Sequence, residues 1–339
     1  MPRTGSATPT RPGAALRQPE VLGILNGAAA GAFWGSIFVI PLLLPGFNAW
    51  QLSAARYLVY GGVALLLMAP RLRSLLTRVG RREWLALFGL GMLGNIAYYV
   101  LLVWGVQWAG AAPTALIIGL IPVAVTVVGS RRSGALPLRA LAAPLALCFV
   151  GVALVAVHGL AHGTAATAEL PLWQRGMGLL AACGALLSWS AYSVWNSHWL
   201  LRRPDLSPWD WSLLTGLTTG ILALTLAIPA FGAPLLAMLT DAAGTAPQHS
   251  GTEWLRFWAI TGTLAILASV VGNAFWNRAS RLLPLTMIGQ MIVFETVFAL
   301  LYGFLYEWRL PSLVEMLAIS ALLGGILWCA NIHRPRSTA

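Results

Sequence analysis

The 339-residue chain contains no lysine, and only ten acids accompany its 21 arginines. Charged residues make up 9% of it and hydrophobic ones 58%, against ~25% charged in a soluble domain. That excludes an ordinary soluble globule and predicts a membrane protein. Cysteine is equally scarce. Cys148, Cys183 and Cys329 each lie in an apolar run, with no CxxC and no His/Cys cluster. A disulfide framework and a zinc centre are thereby excluded, and the three are expected as small buried hydrophobes. No Walker sequence and no GxGxxG after a strand occurs, which argues against ATP drive. No nucleophile–base or metal-ligand set stands at usable spacing, so the reading is a non-enzyme without cofactor.

The apolar runs predict an all-α polytopic membrane protein. Ten candidate spans fall at 21–44, 50–69, 84–107, 111–129, 138–158, 174–200, 209–230, 254–276, 284–306 and 311–332, each near the ~20 residues that cross a ~30 Å hydrocarbon core. The third and fourth are separated only by a short turn over Gln107–Pro113. Residues 1–20 read as a disordered tail, and the first apolar run is too long for a cleaved signal peptide. With the N-terminus inside, seventeen arginines fall on the inner side and four (Arg56, Arg175, Arg256, Arg309) on the outer. This predicts cytoplasmic termini in a cell or inner membrane. It also accounts for the net charge of +11 without nucleic acid. The longest outer loops, 159–173 and 231–253, read as solvated connectors.

The chain reads as two five-helix halves, 21–158 and 174–332, with a linker over 159–173 and a C-terminal tail over 333–339. At an offset of 159, Trp50 meets Trp209, Ser53 meets Ser212, Gly61 meets Gly220 and Pro70 meets Pro229; Trp34 and Trp189 share similar flanks. An odd number of spans per half turns the second upside down, giving two inverted repeats with a site between them near the midplane.

The stretch from Trp34, WGSIFVIPLLL, and the following WQLSAARYLVYGGVALLLM resemble the EamA-type ten-helix permeases of the drug/metabolite transporter superfamily. So does FETVFALLYGFLYEWRL, where Glu295 and Glu307 match the family's two acids and Thr296 replaces a usual proline. Pro122 is kept in the first half, but Ser130 and Arg131 stand where glutamate is usual. The resemblance covers nearly all of 21–332. It implies outward movement of small metabolites, amino acids or drugs.

Glu295 carries the functional expectation. It sits midway along a spanning run, where an acid costs roughly 2.5–3.5 kcal/mol on insertion scales and marks an ion or substrate path. Poised between burial and a nearby cation, it could bind and release a proton. The bland alternative is a protonated Glu bonded to a neighbouring helix. Arg56, roughly 10 Å deep, could bind a substrate carboxylate, pair with Glu295 or snorkel outward. Polar and aromatic residues that could line a pocket are Trp34, Asn95, Tyr98, Tyr99, Ser188, Tyr192, Trp195, Asn273, Trp276, Asn277 and Gln290. Gly23, Gly27, Gly31 and Gly35 form a packing stripe, within the monomer or between monomers of a homodimer. The sum is a secondary transporter of a small-molecule substrate, read as an exporter with proton coupling at Glu295. A non-transporting membrane sensor or scaffold is the alternative.

Overall fold

A computed structural model describes residues 18–129, 138–163, 167–240, 249–283 and 285–332. Side chains are described within these ranges except at 126–129, 138–141, 197, 201, 233–240, 277, 280–281, 285–290 and 329–332. The expectations for residues 1–17, the C-terminal tail, Ser130, Arg131, and the side chains of Asn277, Gln290 and Cys329 therefore lie outside the described residues; Gln18–Glu20, expected as disordered tail, already belong to the first helix.

Capping chemistry begins several of the helices. Asn48 and Gln51 form a reciprocal capping box, as do Ser250 and Glu253; each satisfies backbone donors that a helix start leaves orphaned. Gly110, at φ 98°, ends one helix and opens the next, a conformation that suits glycine. The helical segments are α1 (Gln18–Leu43), α2 (Ala49–Thr77), α3 (Arg81–Ala109), α4 (111–129, broken at Gly119), α5 (Leu138–His162), α6 (Leu172–Arg202), α7 (Pro208–Thr240), α8 (251–282), α9 (Leu285–Tyr306) and α10 (Leu313–Ile332). Among the described residues, seven helices are long and apolar enough to cross a membrane, and three shorter apolar ones accompany them. α7 continues to Thr240, into the stretch expected as connector, because its Leu- and Ala-rich continuation favours helix.

α2 packs on α7, α5 on α10, α3 on α6, and α1 on both α8 and α9. Adding or subtracting five from each helix number maps this set onto itself: α3–α6 becomes α8–α1, α4–α6 becomes α9–α1, and α3–α7 becomes α8–α2. The two self-paired contacts are reciprocal in detail. Gly61 and Gly220 face each other so closely that a Cβ on Gly61 would lie 2.5 Å from the Gly220 Cα, and one on Gly220 2.7 Å from the Gly61 Cα. A Cβ on Gly151 would lie 2.7 Å from the Ala318 O and 3.1 Å from the Leu322 N; one on Gly325, 2.8 Å from the Pro144 O and 3.1 Å from the Cys148 N. All three residue pairs in the second contact share the offset 174. Equivalent residues meeting in exchange is what an isologous two-fold contact does.

Large apolar side chains such as Leu66, Phe149, Leu187, Ile228 and Leu255 point outward, as a lipid-facing surface requires. Cys183 is among the exposed residues, correcting the expectation that the cysteines are buried; it lies on the outward face of α6, while Cys148 is buried between α5 and α10.

Candidate functional site

The glycine stripe of α1 packs inside the monomer. Cβ atoms at Gly27, Gly31 and Gly35 would lie 2.7 Å from Met291 Cγ, 2.6 Å from Phe294 Cβ and 2.8 Å from Ala299 N. α9 is thus pressed against α1 backbone to backbone, and at Gly31 the close neighbour includes the Glu295 N at 2.8 Å. Glu295 is 8% exposed and forms no ion pair with a described residue. Its electrostatic neighbours are Arg56 and Tyr98.

Arg56 is 6% exposed, so its head is buried rather than snorkelled to the outer interface. Its guanidinium carbon lies 4.3 Å from the Tyr99 ring centroid and 5.1 Å from that of Tyr57, a cation–π arrangement. Its Nε and Nη1 make no well-formed hydrogen bond to protein, nor do Ser53 Oγ and Tyr99 Oη, although the Tyr99 hydroxyl is close enough to interact with the guanidinium.

The remaining sequence candidates divide. α3 and α8 each contain a π-helical turn, Met92–Ala97 and Leu267–Val271. Such turns free backbone carbonyls and favour functional sites. Ser188 Oγ donates to the Leu93 O at 2.7 Å, and Trp34 Nε1 to the Ala268 O at 2.9 Å. The first helix of each half therefore satisfies the π-turn of the other. Tyr192 packs on Gly94 and Trp195 on Gly89, so the expected face of α6 lies against α3. Asn95 Nδ2 donates to Thr219 Oγ1 at 2.9 Å, joining α3 to α7, whereas Asn273 Nδ2 donates to the Ser269 O of its own helix. The Trp276 ring lies against Trp34 at 5.2 Å, tilted by 45°. An almost wholly apolar cleft of about 430 Å³ opens beside the α3 π-turn, walled by Trp50, Ile96, Val100, Trp104, Leu222 and Leu226. Neither Arg56 nor Glu295 lines it.

Two clusters that the sequence reading did not single out tie opposite ends of the bundle. Between α1 and α2, Phe47 stacks on His249 at 4.1 Å and on Phe257 at 4.4 Å, with Trp254 and Phe231 around them. Between α6 and α7, Arg203 pairs with Glu83 at 3.1 Å and Asp205 at 2.7 Å, Asp205 with Arg78 at 3.7 Å, and Asp210 with Arg71 at 3.0 Å. The first joins the α1–α2 loop to the α7–α8 region, the second the α6–α7 loop to the α2–α3 region. One end is aromatic, the other ionic. A signal for the ionic cluster was available: three of the ten acids, Glu83, Asp205 and Asp210, fall among inner-side arginines. Hydrogen bonds from Arg203 hold the Asp205 carboxyl down at about 2. A depressed carboxylate stabilises above its unfolded value and loses that contribution only as pH falls through the folded one. Asp205 therefore keeps its charge throughout neutral and mildly acidic conditions. At the opposite corner Arg309 bonds Glu315 through two nitrogens at 2.7 Å each, and also pairs with Glu307. This clamps α9 to α10.

Comparison with known proteins agrees with this architecture. A profile of the EamA-like transporter family matches residues 21–157. The inner membrane protein YtfF of Escherichia coli (strain K12) is 34% identical over 325 residues, 91% of this chain and 94% of that one. A solved crystal structure, 21% identical, shares the fold with a TM-score of 0.55 over 92% of this chain and 99% of its own. With a relative this similar along nearly its whole length, and the family profile on its first half, the chain belongs to the EamA-like transporter family of the drug/metabolite transporter superfamily.

Proposed function

We propose that the chain is a secondary transporter of a small organic solute, working as an exporter in the inner membrane with both termini cytoplasmic. Its ten helices act as transmembrane helices in two inverted repeats, α1–α5 and α6–α10. The observation that carries this reading is the exchange of helix contacts between halves, with Gly61 against Gly220 and Gly151 and Gly325 in reciprocal places. Two related halves can occupy exchanged conformations, so a path closed at one end is open at the other. The aromatic cluster at Phe47 and the ionic cluster at Arg203 are the two closures, and Glu295 is the proton-coupling group. The family and the relative's inner-membrane location support the same reading. Nothing in it calls for catalysis.

The test is solute counterflow in proteoliposomes, with a panel of labelled amino acids, small carboxylates and aromatic cations. At least one solute should exchange saturably above the rate of protein-free vesicles. Arg203→Gln should change that rate several-fold without changing solute preference, because it leaves Glu83 without its partner and Asp205 with Arg78 alone at one closure. If every solute passes at the protein-free rate while the protein is folded, the transport reading fails in favour of a sensor or scaffold.

A further inference from the structure

Buried polar atoms seldom go without a hydrogen-bond partner, and each that does costs about 1–3 kcal/mol. Among the described residues seven side-chain atoms make no well-formed hydrogen bond, one of them, Asp210 Oδ1, being ion-paired with Arg71; four belong to one cluster: Ser53 Oγ, Arg56 Nε, Arg56 Nη1 and Tyr99 Oη. Ser53 and Arg56 stand at i and i+3 on α2, hence on one face. Tyr99 comes from α3 and carries the guanidinium on its ring.

Three readings of Arg56 were open from the sequence. Its burial removes snorkelling, and the lack of an ion pair removes a direct bridge to Glu295. Packing is a poor account too. At the offset that brings Gly61 to Gly220 and Ser53 to Ser212, Arg56 falls on Thr215, whose hydroxyl is satisfied by the Trp211 O of its own helix at 2.9 Å. The second half fills the equivalent position without an orphaned donor. The first half keeps four unpartnered polar atoms there, all able to donate.

We propose that Ser53, Arg56 and Tyr99 form the receptor for a carboxylate on the transported solute, a proposal that rests on the transport reading. The unpartnered N–H groups on Nε and Nη1 of a planar guanidinium can donate charge-assisted hydrogen bonds to a carboxylate, and the hydroxyls add donors to its remaining lone pairs. The substrate class is thus an organic acid or a zwitterion with a free carboxylate, and an aromatic cation without one is excluded. The tyrosine rings beside the guanidinium favour an apolar or aromatic body next to the carboxylate.

The experiment uses the purified full-length chain in detergent and matched probes differing only at the acid: 3-phenylpropanoate against 3-phenylpropanamide, and phenylalanine against phenylalaninamide. Binding is read from tryptophan fluorescence and from the apparent unfolding temperature. At least one acid should bind about tenfold or more tighter than its amide. Arg56→Gln should abolish the difference, and Arg56→Lys should retain part of it, since it keeps the charge but loses the fork. Tyr99→Phe, which keeps the ring and removes only the hydroxyl, should weaken acid binding several-fold and provides the test if the Arg56 variants fail to fold. Equal binding of acid and amide, no binding of any acid, or an acid preference that survives in Arg56→Gln or is unchanged in Tyr99→Phe overturns the proposal. No gradient is involved, so such a result leaves the transport reading standing; that reading fails separately, by absence of counterflow.

Discussion

Glu295→Gln is expected to abolish transport driven by an imposed pH gradient while leaving solute exchange at equilibrium intact. The substitution keeps the size of the side chain and fixes it in a neutral form. In the parent, a carboxyl near the middle of α9 is sealed from the surface and forms no ion pair with a described residue. A buried acid bonded to a neighbouring helix would serve packing, and its amide would serve as well. Glu295 instead has Arg56 as its charged electrostatic neighbour. In a cycle that delivers a carboxylate to Arg56, the charge facing Glu295 changes with each turn, which supplies the drive to take up and release a proton. Exchange of labelled for unlabelled solute needs no net proton movement and should continue. The measurement is uptake and counterflow side by side in proteoliposomes. Full gradient-driven transport by Glu295→Gln would end the coupling account.

Gly61→Ala and Gly62→Ala should have opposite signs. A Cβ on Gly61 would sit 2.5 Å from the Gly220 Cα, backbone against backbone, where no flexible side chain can yield. α2 and α7 must then separate along their whole contact, at a cost of about 3 kcal/mol, the upper end for overpacking. At Gly62 a Cβ meets nothing within 4 Å, so the substitution adds helix propensity and should stabilise by up to about 1 kcal/mol. Thermal unfolding in detergent, followed by tryptophan fluorescence, separates the two. Counterflow should fall with Gly61→Ala and persist with Gly62→Ala. If Gly61→Ala unfolds with the parent, the contact between halves is looser than described.

Much of this was legible in the residues. The helices follow from apolar run length, and the turn between α3 and α4 was visible as the short Gln107–Pro113 segment that now holds Gly110 at positive φ. The Gly61/Gly220 match was legible as an offset, but an offset does not say that the two residues touch. That needs the relative placement of halves, which local sequence does not encode. The same holds at the site. Glu295 announced itself because an acid in an apolar run is costly wherever the helix packs. Arg56 was visible too, but its role was not, because snorkelling, pairing and ligand binding all begin from the same sequence and differ only in what packs around the guanidinium. Ser188, Tyr192 and Trp195 recur at i, i+4 and i+7, one helical face, yet periodicity cannot tell whether a face meets a pocket or a neighbouring helix; here it meets α3. The Phe47 and Arg203 clusters escaped notice because each is assembled from loops far apart in the chain.

The central claim is that the Glu295 position opens to water during the transport cycle. The most direct measurement replaces Glu295 by cysteine in a chain whose Cys148, Cys183 and Cys329 are changed to alanine, and exposes proteoliposomes to a membrane-impermeant, charged thiol reagent. The account predicts that the thiol is modified, and that saturating a transported solute slows the modification. A thiol that stays unmodified while the same protein is folded and labels readily at an exposed loop cysteine would place position 295 in permanently dry packing and contradict the account.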